Sequence, residues 1–223
     1  MNRILKKMQG GLIVSCQAEE GTPFLGKMGL MAKAAEMSGA ICIRSNGPKD
    51  IRQIKKAVKL PVIGINKKRM KGYEVFITPD FASAKAVVDA GAEIVALETT
   101  LRTRKEPIEE VIEKVRKYSP KTLLMADIST YKEGIFAHSL GFDLIGTTLS
   151  GYTSYSRQAS TPDFGLLRKL SKKIDTPLIA EGKIWTPAEA KKALDSGAFA
   201  VVVGTAITRP HLIVEKFAKA LKA

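Results

Sequence analysis

Cysteine, histidine and tryptophan are scarce: two, two and one in 223 residues. Cys16 and Cys42 lie in apolar runs without a CxxC spacing, which excludes a disulfide framework and predicts two buried, reduced thiols. Both histidines, His138 and His211, fall in helical segments where surface or packing roles suit them. No histidine stands at a strand end, so no metal site is expected. No apolar run approaches the roughly 20 residues that span a bilayer. The start, MNRILKKMQGG, lacks the long apolar stretch of a secretory signal. A cytoplasmic protein without membrane contact is therefore expected. Charge is not scarce, at a net +14. The lysines, however, are interleaved with apolar residues at helical spacing, as in IRQIKKAVK and FAKALKA, and no aromatic-basic platform for bases accompanies them. That pattern predicts a solvated basic surface and no nucleic-acid partner.

A repeat organises the chain. SGAICI, AGAEIV, LGFDLI and SGAFAV, at Ser38, Ala90, Leu140 and Ser196, each close a helical stretch on glycine and open an apolar run. The other apolar runs are GGLIVSCQ, LPVIGINK, TLLMADIS and TPLIAEGK. The eight together predict strands at 11–17, 40–45, 61–67, 93–99, 122–129, 143–149, 177–183 and 199–206. Most are continuous instead of alternating, as in strands covered on both faces. Helical stretches such as PIEEVIEKVRKY follow them. Thr130 to Glu133 and Thr186 to Glu189 have the form of capping boxes, the second with Pro187 at the first helical position. Eight strands alternating with helices predict an α/β protein, one (β/α)8 TIM barrel of the phosphate-binding type over residues 1–223. An open doubly wound sheet is the alternative, but Gly10-Gly11 precedes the first strand and forms no dinucleotide fingerprint.

Barrel chemistry sits at the carboxyl ends of the strands. Those ends read Ser15-Cys16-Gln17, Arg44-Ser45-Asn46, Asn66-Lys67, Glu98-Thr99-Thr100, Asp127-Ile128-Ser129, Thr147 to Gly151, Glu181-Gly182-Lys183 and Gly204-Thr205. Together they line a polar bowl. Gln17, Lys67, Asp127 and Glu181 come from odd strands and are expected in one ring, with Lys67 facing Glu181 across the barrel. Gly182, Gly204 and Thr205 lie in the loops where such barrels hold phosphate, and Arg209-Pro210 adds a guanidinium at the last helix. Glu98 either reaches the bowl or caps the fourth loop. Trp185 either lines the pocket or packs its loop. SGYTSYSRQ is read as a lid.

GLIVSCQA, ICIRSN, LPVIGINK, LLMADIST, GTTLSGYTSYS, IAEGKI and VVGTAITRP span nearly the whole chain and resemble the N-acetylmannosamine-6-phosphate 2-epimerase family. The resemblance implies interconversion of N-acetylmannosamine 6-phosphate and N-acetylglucosamine 6-phosphate in sialic acid and amino-sugar catabolism, without metal or organic cofactor, by a homodimer. It implies catalytic roles for Lys67, after PVIGI, and Glu181, in AEG. It implies substrate contacts at Gln17, Arg44, Asp127 and Arg209. The chain departs from the family pattern at Glu98, where ALE replaces ALD, at Thr205, where VGT replaces VGG, and in Lys68 to Gly72.

The chemistry suits these residue types. Epimerisation at C2 removes a proton beside the C1 carbonyl of the open-chain sugar and returns one to the opposite face. Two groups on opposite walls serve that better than one. Lys67 must act as a neutral amine, its pKa lowered by burial and by a nearby cation, for which Lys183 and Arg44 are candidates. Arg44 or Gln17 could donate to the enolate oxygen. The competing readings are a Schiff-base aldolase working through Lys67 and a non-catalytic barrel that binds phosphosugar or nucleic acid.

Overall fold

A computed structural model describes residues 2–222. The chain runs α1 (Arg3–Met8), β1 (Leu12–Cys16), α2 (Met28–Met37), β2 (Cys42–Asn46), α3 (Pro48–Ala57), β3 (Val62–Ile65), α4 (Phe81–Asp89), β4 (Ile94–Glu98) and α5 (Ile108–Tyr118). It continues β5 (Leu123–Asp127), α6 (Tyr131–Ser139), β6 (Leu144–Gly146), α7 (Phe164–Ser171), β7 (Leu178–Glu181), α8 (Pro187–Asp195), β8 (Ala200–Val203), α9 (Thr205–Thr208) and α10 (Pro210–Ala220). The eight strands are parallel and close in chain order into one barrel. Each expected strand is present, with β2 running one residue past its expected end to Asn46.

The local signals act as their chemistry dictates. Gly39, Gly91, Gly141 and Gly197, the four repeat glycines, take φ of 93°, 94°, 74° and 99°, the left-handed turn that ends a helix without a Cβ clash. Both capping boxes form, so Thr130 and Thr186 each satisfy a free amide of the first turn while Glu133 and Glu189 reach back.

Two apolar cores share the sheet. One lies between strands and helices and includes Val14, Ile43, Val95 and Leu124. The other fills the barrel with Ile13, Ile63, Met125 and Ile179, among others. Leu5 and Met8 of α1 join this second core from below. The sequence reading did not anticipate α1. Its signals were the Asn2 cap, which accepts from the Ile4 amide at 2.8 Å, and the three-residue spacing of its two buried side chains. Both cysteines are free and buried, and loss of solvent pushes each thiol up to about 12. Among the described residues no helix is long and apolar enough to cross a membrane.

The ladder register sets which side chains share a level. Asp127 pairs with Gly146, and Gly146 with Ile179. Tilted strands climb roughly one residue per strand relative to that ladder. Asp127 and Glu181 therefore stand at one level, with Ser15 and Ile65 completing it. Gln17 and Lys67 lie two residues further along their chains, on the same inward face but one layer higher. The single ring expected from the sequence is thus two tiers. The parity was legible from the strand ends, whereas the stagger belongs to barrel closure.

Candidate active site

Lys67 stands one residue past β3, after Asn66, and the chain folds back on itself to hold it there. Its amide donates to Asn46 Oδ1 at 2.8 Å, and the residue forms an antiparallel bridge with Ile77. Lys68 N donates to the Phe76 carbonyl at 2.8 Å and Thr78 N to the Asn66 carbonyl at 3.1 Å. Thr78 takes the left-handed φ of 49° in this return, and its hydroxyl accepts from Asn66 N at 3.0 Å. The lysine caps an apolar strand because its loop turns it over the open mouth of the barrel.

Glu98, wholly buried at the end of β4, braces that loop. Its Oε2 accepts from the amides of Phe76 and Ile77 at 3.0 and 3.1 Å. Its Oε1 accepts from Thr100 Oγ1 at 2.8 Å and Arg102 Nη1 at 3.3 Å. Of the two roles open to it, Glu98 takes the second and extends it: it does not line the bowl, but it caps the fourth loop through Thr100 and Arg102 and ties the third loop to it.

Below the mouth lies Arg44, 1% exposed. Its layer-mates Ala96, Gly146 and Val202 are small, which leaves room for a guanidinium inside the barrel. Arg44 Nη2 donates to Asp127 Oδ2 at 2.6 Å, and Nε forms an ion pair with Glu181 Oε1 at 3.2 Å. Nη1 contacts Met125 Sδ at 3.7 Å. Burial opposes the guanidinium charge, but Asp127 and Glu181 outweigh it and raise its pKa.

Glu181 ends β7 with its side chain 13% exposed. Burial is the main force raising its pKa to about 7; Arg44 opposes the rise and the Asp127 charge adds to it. Lys67 moves the other way. The residue is exposed at the rim, yet its amine lies within the field of the bowl, and its pKa is lowered first by loss of solvent and then by repulsion from Arg44. Arg209 adds to that repulsion. Lys183, the other candidate cation, turns away: its ammonium donates to the carbonyls of Gly151 and Ala159 and lies over the Tyr152 ring.

A cavity of about 740 Å³ opens above these groups. Gln17, Lys67, Glu181, Gly182, Gly204, Thr205 and Arg209 all line it, as the strand ends suggested. Arg44 and Asp127 do not. They lie beneath the floor, where they contact Glu181 and Thr148 in place of the cavity itself. Gln17 Nε2 donates to Ser15 Oγ at 2.8 Å, and its buried Oε1 has no partner. Arg209 is braced by Glu19 at 2.7 Å. Thr208 Oγ1 donates to the Ser15 carbonyl at 2.9 Å, which anchors α9 and the loop before it to β1. Trp185 lines the cavity.

The expected lid after β6 is a tethered wall. Tyr155 Oη donates to Glu133 Oε1 at 2.8 Å, Arg102 Nη2 donates to the Tyr152 carbonyl at 2.5 Å, and Lys183 holds the two carbonyls named above. Thr148, Arg69, Arg102 and Tyr152 also line the cavity and were not singled out from the sequence. For Thr148 the signal was present in the polar pair that ends β6. Among the described residues no group of His, Cys, Asp and Glu is arranged to hold a metal ion.

The family model described as "Putative N-acetylmannosamine-6-phosphate epimerase" matches residues 28–223. The chain belongs to this family. A relative in Caldanaerobacter subterraneus subsp. tengcongensis, named "Putative N-acetylmannosamine-6-phosphate 2-epimerase", is 53% identical over 98% of this chain and 94% of its own length. One of the same name in Listeria welshimeri is 45% identical over 99% and 96%. The solved structure of the N-acetylmannosamine-6-phosphate 2-epimerase from Clostridium perfringens is 44% identical, covers 98% of this chain and 96% of its own, and superposes with a TM-score of 0.94. A thiamine phosphate pyrophosphorylase from Pyrococcus furiosus, at 18% identity and a TM-score of 0.62, shares the fold alone.

Proposed function

We propose that this chain interconverts N-acetylmannosamine 6-phosphate and N-acetylglucosamine 6-phosphate by moving the proton on C2 of the open-chain sugar, with Lys67 and Glu181 as the acid/base pair. One observation carries this reading. The two groups line a single cavity from opposite strands of the barrel, and their surroundings push lysine down and carboxyl up toward a common proton affinity.

That convergence suits an epimerase. In one direction the neutral amine of Lys67 takes the C2 proton while protonated Glu181 supplies one to the other face. The turnover ends with Lys67 charged and Glu181 ionised, which is the starting state for the reverse direction. The pair carries one proton in both states. With Arg44 positive and Asp127 negative, the cluster has no net charge in either, so neither direction leaves an uncompensated charge in the barrel. Arg44 is committed to two carboxylates, which leaves Gln17 as the group to meet the substrate's polar edge. Gly182, Gly204, Thr205 and Arg209 form the phosphate end of the reading.

Proton NMR in D₂O tests it. N-Acetylmannosamine 6-phosphate is followed with wild type, Lys67→Ala and Glu181→Ala. Product deuterated at C2, lost in both variants, is expected. Conversion without deuterium at C2, or full activity in either variant, overturns the two-residue assignment. The same reading includes the homodimer, the cytoplasmic setting and a sugar phosphate instead of nucleic acid as partner. Against a nucleic-acid partner, Arg102 and Arg69 of the cavity wall are already engaged locally, by Glu98 and by the Phe76 ring.

A further inference from the structure

We propose that Thr148 is a positioning residue for Glu181, its hydroxyl joining Glu181 to Asp127 so that the two carboxylates act as one held unit at the floor of the cavity. The inference rests on the reading of Glu181 as an acid/base. Thr148 Oγ1 donates to Asp127 Oδ1 at 2.6 Å and lies 3.2 Å from Glu181 Oε2. A hydroxyl has one proton to give. Here that proton sits between two carboxylates whose other oxygens face the same guanidinium: Arg44 meets Asp127 Oδ2 and Glu181 Oε1. Arg44 and Thr148 thus bridge the two carboxylates in parallel, one from each side. Truncating either leaves the other to define where the Glu181 carboxyl points.

The neighbouring residues serve the same end. Thr147 Oγ1 accepts from the Glu181 amide and donates to the Glu181 carbonyl, both at 3.1 Å. Consecutive threonines of one strand end therefore hold the backbone and the side chain of Glu181. Gly146 comes just before them, and a Cβ there would stand 3.0 Å from Thr148 Oγ1 and 2.3 Å from Met125 Cε. The absent side chain keeps that space open for the hydroxyl.

Thr148→Val preserves shape and removes the hydroxyl, while Thr148→Ser restores the hydroxyl without the methyl. The Glu181 carboxyl is followed by carbon NMR in the substrate-free protein, assigned with Glu181→Gln. Shared between the two carboxylates, the hydroxyl proton stabilises ionised Glu181 and holds its pKa down, so Thr148→Val is expected to move the Glu181 midpoint upward by roughly 0.5–1 unit. Its kcat is expected to fall about 10- to 100-fold with little change in KM, as for loss of orientation of a reacting group. Thr148→Ser is expected to recover both. A Glu181 midpoint unmoved in Thr148→Val overturns the inference. So does a rise in KM alone, which would make Thr148 a wall contact to the sugar. If the midpoint moves while Glu181→Gln still epimerises, the positioning of Glu181 stands and its role as acid/base is what fails.

Discussion

Arg44 Nη2 lies 2.6 Å from Asp127 Oδ2 inside a barrel that seals both side chains from solvent, at 1% and 0% exposure. Such a pair is costly to assemble, since two ions lose their water, and costly to break, since removing one strands the other. Its position under Glu181 places a fixed positive charge and a fixed negative charge beside a carboxyl whose pKa they help set.

Arg44→Met therefore leaves Asp127 and Glu181 together without the buried guanidinium that pairs with both. We expect a loss of about 3–5 kcal/mol, the usual cost of breaking a buried pair, measured by urea unfolding at pH 7. Arg44→Met combined with Asp127→Asn is expected to recover much of that loss, because the stranded charge is gone. A double variant no more stable than Arg44→Met would contradict this account.

Glu181 also makes stability depend on pH. Its folded pKa of about 7 exceeds the ordinary 4.5, so the folded state binds the proton more tightly. The contribution is complete below the unfolded value and is lost as pH rises from about 4.5 through 7. Thermal melts of wild type between pH 5 and 8 are expected to show this decline. In Glu181→Gln the decline is expected to flatten, leaving that variant the more stable protein at pH 8 by a few kcal/mol.

Glu98 is expected to act on Lys67 from a distance. Glu98→Ala removes the acceptor of two backbone amides and leaves Arg102 without its partner. A destabilisation of roughly 3 kcal/mol is expected, with kcat lowered by release of the loop that carries Lys67. Faster hydrogen exchange at Phe76 and Ile77 is the local signature. Exchange unchanged at those two amides would show that the loop is held by other contacts.

Arg209 lines the cavity, is paired with Glu19, and is the guanidinium proposed to meet the phosphate. Arg209→Ala is expected to raise KM for the phosphorylated sugar about 10- to 100-fold, the worth of one charge-assisted contact, and to leave any activity on the unphosphorylated sugar nearly unchanged. Equal losses on both substrates would move Arg209 out of the phosphate role.

Much of this was legible beforehand. Glycine closures marked four strand starts, continuous apolar runs marked the buried sheet, and Thr-x-x-Glu marked two helix starts. These signals are local, and physics near each residue suffices to read them. Lys67 and Glu181 were visible because charge at the end of an apolar run is costly without a use. Glu98 could not be resolved, because its partners lie about 20 residues upstream as well as beside it. Thr148 was visible only as part of a polar strand end. Lys183 was misjudged as a neighbour of Lys67 for a related reason: the loop after β6 returns to take its ammonium.

The chain's own pattern, then, determined the eight strands, their helices and the inward face of each polar strand end, since helix caps and side-chain parity depend on near neighbours. Tertiary structure decided the level at which each inward residue stands. Barrel closure staggers neighbouring strands, placing Asp127 and Glu181 together, Lys67 and Gln17 one tier above, and Arg44 among residues small enough to admit it. The pKa of Glu181 depends on those placements, because the loss of solvent and the two nearby charges that set it exist only once the barrel is closed.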